Sequence, residues 1–327
     1  YIREYKINIC YTIIVCSINP FYVFIKQLYK LFRIDHFIAS RFHNKKVRKF
    51  ISEYIPLTKG HYDKRNIYKN PPFADVFICG SDQIWNPELL NDTAYFLDFV
   101  NSGKKISYAA SATKEWTPDF EKKAEILLRD FSAVSLREDV NFEQVKKLCT
   151  CNVQLAIDPV FLLNREEWLE IAPVPKENEP YILCYFIGTS RKAGKIVKDL
   201  KEATGYKVIH VNLNLFSYFK ADKEIRAVSP LELVGYIAHA QLVCTNSFHG
   251  TAFSIILHKN FRVLKKSRGH SRLETLINVF DIKNAIINPE EAFHSNLDES
   301  PVSLNYTKGD IYIQNSKNYI INNIGLC

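Results

Sequence analysis

Apolar residues fall along the chain in two alternating kinds of run. Ala74 to Cys79, Lys105 to Ala110 and Ala133 to Leu136 are short apolar stretches that end in small or polar residues, as strands do. Between the last two, Asp119 to Phe131 carries apolar residues at helical intervals. The second half repeats the pattern. Tyr181 to Ile187 reads as a strand, Arg191 to Thr204 as a helix, and Lys207 to Val211 and Leu242 to Thr245 as further strands. Strands alternating with helices predict parallel β-α-β units, whose functional loops lie at the carboxyl ends of the strands. A chain of 327 residues exceeds what one core organises, so the expectation is an α/β protein of two Rossmann-like domains, 1–170 and 171–327. Asn164 to Pro180, rich in Glu and Pro, reads as the connection between them.

Three predicted strand ends carry polar groups: Gly80-Ser81-Asp82, Arg137-Glu138 and Asp158-Pro159. Ser229 followed by Pro230 opens a helix running to about Ala240, with Glu232 matching the helix dipole. Leu242 to Thr245 then leads into Asn246-Ser247-Phe248-His249-Gly250-Thr251, followed by the apolar helix Ala252 to Leu257. A strand, a polar loop with Gly and a helix make a place for an anion, because helix N-termini present N–H groups and a positive dipole end. Phe24 to Tyr54 has basic and aromatic residues at helical spacing. The uncharged run Ile7 to Ile25 is long enough to span a bilayer, but Asn8, Ser17, Asn19 and Pro20 interrupt it, so it reads as a buried strand. The chain begins at Tyr1 and contains no Met, so its start is expected to be missing.

Composition narrows the function classes. The net charge of +8 is spread along the chain without a basic block, which argues against nucleic acid and for cations that face an anionic small molecule. The eight cysteines show no Cys-x-x-Cys pair, no metal-ligand cluster is visible, and Cys79, Cys184 and Cys244 fall in apolar runs. A reducing cytoplasm is the expected compartment. The basic Lys26 to Arg48 region allows peripheral contact with the inner membrane face.

Five segments in order resemble the polysaccharide pyruvyl transferase family: Asp75 to Pro87 (DVFICGSDQIWNP), Lys105 to Ala110 (KISYAA), Ser135 to Glu138 (SLRE), Asp158 to Leu162 (DPVFL) and Thr245 to Ser254 (TNSFHGTAFS). They span about residues 75 to 275. The resemblance implies a GT-B-like architecture of two Rossmann-like domains. It further implies transfer of a pyruvyl group from phosphoenolpyruvate onto a sugar of an exopolysaccharide or capsule, or onto its lipid-linked oligosaccharide precursor, with no cofactor. Against that family the first domain is expected to lack its initial strand and its Asn- and Gly-bearing loop. Ser247 also stands where many members carry Arg, and Arg268 or Arg272 is the expected substitute.

The chemistry needs an acid and cations. His249 is the only His in a matched segment and suits an acid or electrostatic stabiliser, and Arg137 suits a planar fork for carboxylate or phosphate. Ser247, with the Gly250 and Thr251 amides, is expected to bind phosphate. Gly80, Ser81 and Asp82 join the expected substrate site, weighed against a simple turn in which Asp82 caps the next segment. Arg137 with Glu138 is weighed against a surface ion pair. Trp85 and Tyr108 read as core, Asp158 as a turn residue, and His210 and His239 as structural, with His258 and His270 weaker candidates. Two alternatives remain: a GT-B nucleotide-sugar glycosyltransferase, and a truncated, non-catalytic glycan-binding member.

Overall fold

The computed structural model describes residues 34–88, 92–188, 191–213, 217, 219–265, 271–288 and 302–325. The Ile7 to Ile25 run, Arg268 and His270 lie outside them. Among the described residues helix α1 (Ile34–Tyr54) comes first and fits the helical spacing of that region. The first sheet follows, with β1 (Val76–Cys79), β2 (Lys104–Ser107), α2 (Pro118–Leu128), β3 (Phe131–Leu136), α3 (Phe142–Leu148) and β4 (Asn152–Leu155). Its four strands are parallel and lie in chain order. A 3₁₀ turn (Pro159–Leu162) and α4 (Arg165–Ile171) lead to the second sheet.

That sheet contains β5 (Tyr181–Tyr185), α5 (Arg191–Thr204), β6 (Lys207–Val211), β7 (Lys223–Ile225), α6 (Pro230–His239), β8 (Leu242–Thr245), α7 (Phe248–Ile256), β9 (Phe261–Leu264), α8 (Ser271–Phe280) and β10 (Ile286–Ile287). All six strands are parallel in the order β10-β9-β8-β5-β6-β7. Chain order reverses between β5 and β8, so the crevice beyond their carboxyl ends is a topological switch point. The last helix, α9 (Tyr306–Ile324), ends on Gly325 in the left-handed conformation. No helix among the described residues is long and apolar enough to cross a membrane.

Apolar alternation explains where the cores sit. One face of the first sheet packs Trp85, fully buried and stacked 4.9 Å from Phe96, against Leu128 and Phe131. The other face, Ile106, Tyr108 and Ala133, is closed by Tyr319 of α9. In the second unit Phe253, Ile255 and Phe261 pack with Phe280 and Phe161. The sequence division at 170/171 leaves α9 with the second unit, but the structure lays it across both. Its start is tied to α8, where Asn305 N–H donates to the Phe280 carbonyl (2.8 Å) and a Cβ on Gly309 would lie 2.1 Å from the Phe280 ring. Further on, Tyr319 OH donates to the Ser107 carbonyl (2.8 Å) and Ser316 Oγ accepts from the Ile157 amide (2.9 Å).

The segment expected to be a connection is more ordered than its composition suggests. Asn164 and Glu167 form a capping box that starts α4, and a Cβ on Gly235 would lie 2.0 Å from the Pro173 carbonyl, so this stretch is pressed against α6. Its glutamates are used locally: Glu177 pairs with Lys223 and Glu179 with Lys207. Ser229 opens α6 as read from the sequence, and Glu232 completes a second capping box. Glu232 also takes Lys46 of α1 at 2.8 Å, docking the first helix on the second unit.

Candidate active site

The carboxyl ends of β1, β3 and β4 face the start of α7. A Cβ on Gly80 would lie 2.2 Å from the Tyr108 carbonyl oxygen, so only glycine lets this loop close on the end of β2. Ser81 Oγ then donates to the Ala109 carbonyl (2.5 Å) and Asp82 is left 45% exposed. Beyond β3, Arg137 turns inward and is 1% exposed. Its Nη1 donates to Asp82 Oδ1 (3.0 Å), and its Nη2 donates to Ser81 Oγ (2.7 Å) and pairs with Asp158 Oδ2 (2.7 Å). Its buried Nε finds no hydrogen-bond partner among the described residues. Arg137 and Glu138 are therefore not a surface pair. Glu138 is buried too, accepting from Ser111 Oγ (2.5 Å) and the Ala112 amide (3.3 Å), and burial raises its pKa against those bonds and the pull of Arg137.

Asp158 is a residue of this cluster that the sequence reading missed. It does serve the turn, its Oδ1 accepting the Val160 amide (3.0 Å) to cap the 3₁₀ segment. Its other oxygen, 2% exposed at the side chain, joins Arg137 and lies 3.8 Å from His249 Nε2. The signal was present in the Asp158 to Leu162 segment, but local turn chemistry accounted for the Asp by itself.

His249 lies inside the first turn of α7, where a loop was expected, because the helix begins at Phe248. Its side chain is 37% exposed. Burial lowers its pKa, and Arg137 and Arg272 push the same way against Asp158 and Asp82, so the free imidazole is neutral near pH 7. Arg272, in the first turn of α8, meets Asp82 Oδ1 at 2.5 Å. Both guanidinium carbons sit over the Phe248 ring, 5.1 Å from its centroid for Arg137 and 5.9 Å for Arg272. Burial would raise the pKa of Asp82, but Arg137, Arg272 and His249 together hold it below the usual carboxylate range.

The expected phosphate cradle is corrected by the geometry. Ser247 is 1% exposed, its hydroxyl accepts from the Gly250 amide (3.4 Å) as the α7 cap, and its carbonyl accepts both the amide and the hydroxyl of Thr251 (3.0 Å each). These groups satisfy one another and hold the helix start. The donors such a cap leaves are the first-turn amides of Phe248 and His249. Gly250 is needed for closeness, since a Cβ would lie 2.4 Å from Thr245 Oγ1.

The remaining candidates divide simply. Trp85 and Tyr108 belong to the core. His210 is fully buried between Phe186 and Phe219, with burial lowering its pKa to about 4. His239 Nδ1 lies 2.9 Å from the Gly235 carbonyl, and the His258 ring sits 4.7 Å from that of Tyr306, tilted by 56°, beyond the far end of α7.

The sequence model of the polysaccharide pyruvyl transferase family matches residues 7–266. The chain belongs to that family. The match begins well before Asp75, where the legible motifs start, and it takes in every described strand of the first sheet and most of those of the second. Among curated protein sequences none matches the chain. Of solved structures, a protein assigned as a UDP-N-acetylglucosamine 2-epimerase from Listeria monocytogenes superposes with a TM-score of 0.50 at 11% identity, covering 89% of this chain and 80% of that one. UDP-GlcNAc 2-epimerase from Methanocaldococcus jannaschii superposes at 0.49 and 14% identity, covering 85% and 89%. At 11% identity the Listeria likeness is one of fold, two Rossmann-like domains of the GT-B kind, here in a polysaccharide pyruvyl transferase family member.

Proposed function

We propose that the chain transfers the pyruvyl group of phosphoenolpyruvate onto two hydroxyls of a sugar in a surface polysaccharide or its lipid-linked precursor, forming a cyclic ketal. The observation that carries this reading is the convergence of Arg137 from one unit with His249 and Arg272 from the other on Asp82 and Asp158.

Ketal formation adds one sugar oxygen to the enol carbon while the terminal CH₂ gains a proton. The second sugar oxygen then displaces phosphate. Of the two hydroxyl protons, one is balanced by the new methyl C–H and the other leaves with phosphate. The donor is a polyanion; Arg272 offers a planar donor for its carboxylate or phosphate, and the buried Arg137 adds positive charge behind Asp82. Arg272 fills the role that Ser247 leaves open. His249 is neutral before binding. The donor's charge raises its proton affinity, and the imidazolium, facing Asp158, delivers a proton to the CH₂ carbon.

Isothermal titration with phosphoenolpyruvate tests this. Arg272→Ala is expected to weaken binding about 10- to 100-fold, the worth of a charge-assisted hydrogen bond. His249→Ala is expected to abolish transfer with the fold intact by circular dichroism. Folded wild type that ignores phosphoenolpyruvate and binds a nucleotide sugar would replace this reading with glycosyl transfer.

A further inference from the structure

Away from the cleft, β4 and α9 line a groove of about 540 Å³, within the size range of small-molecule sites. Carboxamides dominate its described lining: Asn152 and Gln154 from β4, and Asn315, Asn318, Asn322 and Asn323 from α9. Asn152 and Gln154 stand two apart, so they share the strand face toward α9, while Val153 packs into the core on the other side. Asn315, Asn318 and Asn322 recur at helical spacing and form one stripe.

The stripe is not explained by helix formation or by composition. Asn is a poor helix former, costing on the order of 0.6 kcal/mol against Ala at each interior position. The eight other α-helices among the described residues hold two between them, Asn44 and Asn278, whereas α9 alone holds four. Internal bonding uses only part of the set. Gln314 Nε2 donates to Asn318 Oδ1 (2.9 Å) and Asn323 Nδ2 to the Tyr319 carbonyl (2.9 Å), while each carboxamide brings two N–H donors and an acceptor oxygen. The described lining also contains two tyrosines but no Lys, Arg, Asp or Glu. Such a surface matches a neutral ligand dense in hydroxyls and disfavours a phosphate or carboxylate, which calls for cations.

We infer that this groove is a second, non-catalytic saccharide-binding site that holds a neutral stretch of the acceptor chain. The inference rests on the reading that the acceptor is a saccharide. It places the bound stretch on the strand that ends just before Asp158, four residues or about 13 Å of extended chain beyond Gln154.

The test is an array carrying neutral gluco-, galacto-, manno- and N-acetylhexosamine oligosaccharides of one to eight units, probed with wild type and with Asn315→Ala/Asn318→Ala/Asn322→Ala. Alanine favours the helix, so the triple variant is expected to melt at or above the wild-type temperature, which keeps misfolding out of the result. It should bind the longer oligosaccharides at least tenfold more weakly while keeping its affinity for phosphoenolpyruvate. Wild type that binds no member of the array, or a variant that binds like wild type, overturns the inference. Groove-dependent oligosaccharide binding without any phosphoenolpyruvate binding would uphold the groove and sink the transfer reading alone.

Discussion

Asp82 and Asp158 hold the same guanidinium in different surroundings, one half-exposed and one buried. Removing Arg137 leaves Asp158 as an unpaired charge away from water, so Arg137→Ala is expected to cost about 3–5 kcal/mol of stability. Arg272→Ala leaves Asp82 open to water and should cost less than about 1 kcal/mol. Denaturant unfolding measures both, and equal losses would contradict the assignment of the two carboxylates. The lowered pKa of His249 gives a second test. Because the free imidazole is neutral near pH 7 and a bound polyanion favours its charged form, phosphoenolpyruvate binding should take up a proton and weaken as pH rises through the pKa of the complex. Titration in buffers of different ionisation enthalpy reads the proton directly; a heat independent of buffer in wild type would remove His249 from this role. The sequence offered His249 and both arginines as candidates because each carries its chemistry in its own side chain. Asp158 stayed hidden because its partners lie 21 and 91 positions away in the chain.

At the scale of the element, the start of α7 joins strand, cap and site in six residues. Thr245 Oγ1 donates to the Tyr185 carbonyl (2.6 Å) and accepts the Ser247 amide (3.0 Å), so it cannot yield cheaply to a methyl group on Gly250. Gly250→Ala therefore sets an overpacking cost of about 1–3 kcal/mol against a helix-propensity gain of about 1 kcal/mol. The clash should win, lowering the thermal midpoint and reducing transfer by displacing His249; an unchanged midpoint would show that the contact is slack. Local signals of this kind made the strand ends and the α6 start legible. They misled at α7, where the polar look of Asn246 to Thr251 suggested a loop although Ser247 already caps a helix. They misled again at α4, where a capping box hid inside a Glu-rich stretch.

For the whole molecule, the α/β alternation marked both sheets through β1, β2, β3, β5, β6 and β8, since strand and helix periods are written locally, but not β7, β9 or β10, which are short and carry little period of their own. The path of α9 was not legible, because nothing in its own pattern names the distant sheet it covers. Tyr319, 3% exposed, plugs the face of β2 and β3. Tyr319→Ala should cost about 3–5 kcal/mol, as loss of other large buried aromatics does, and fall on the first unit. Calorimetry should then show that unit melting ahead of the second, whereas a single transition would show the two unfolding together. Among the described residues the chain passes from the first unit to the second after β4, and α9 then reaches back onto the first. A cut between Ala172 and Pro180 would sever the passage after β4 and leave α9 in place. The carboxyl-terminal piece would keep the helix that completes its neighbour's core, so two separately produced fragments carry complementary halves of one interior and should reassemble on mixing.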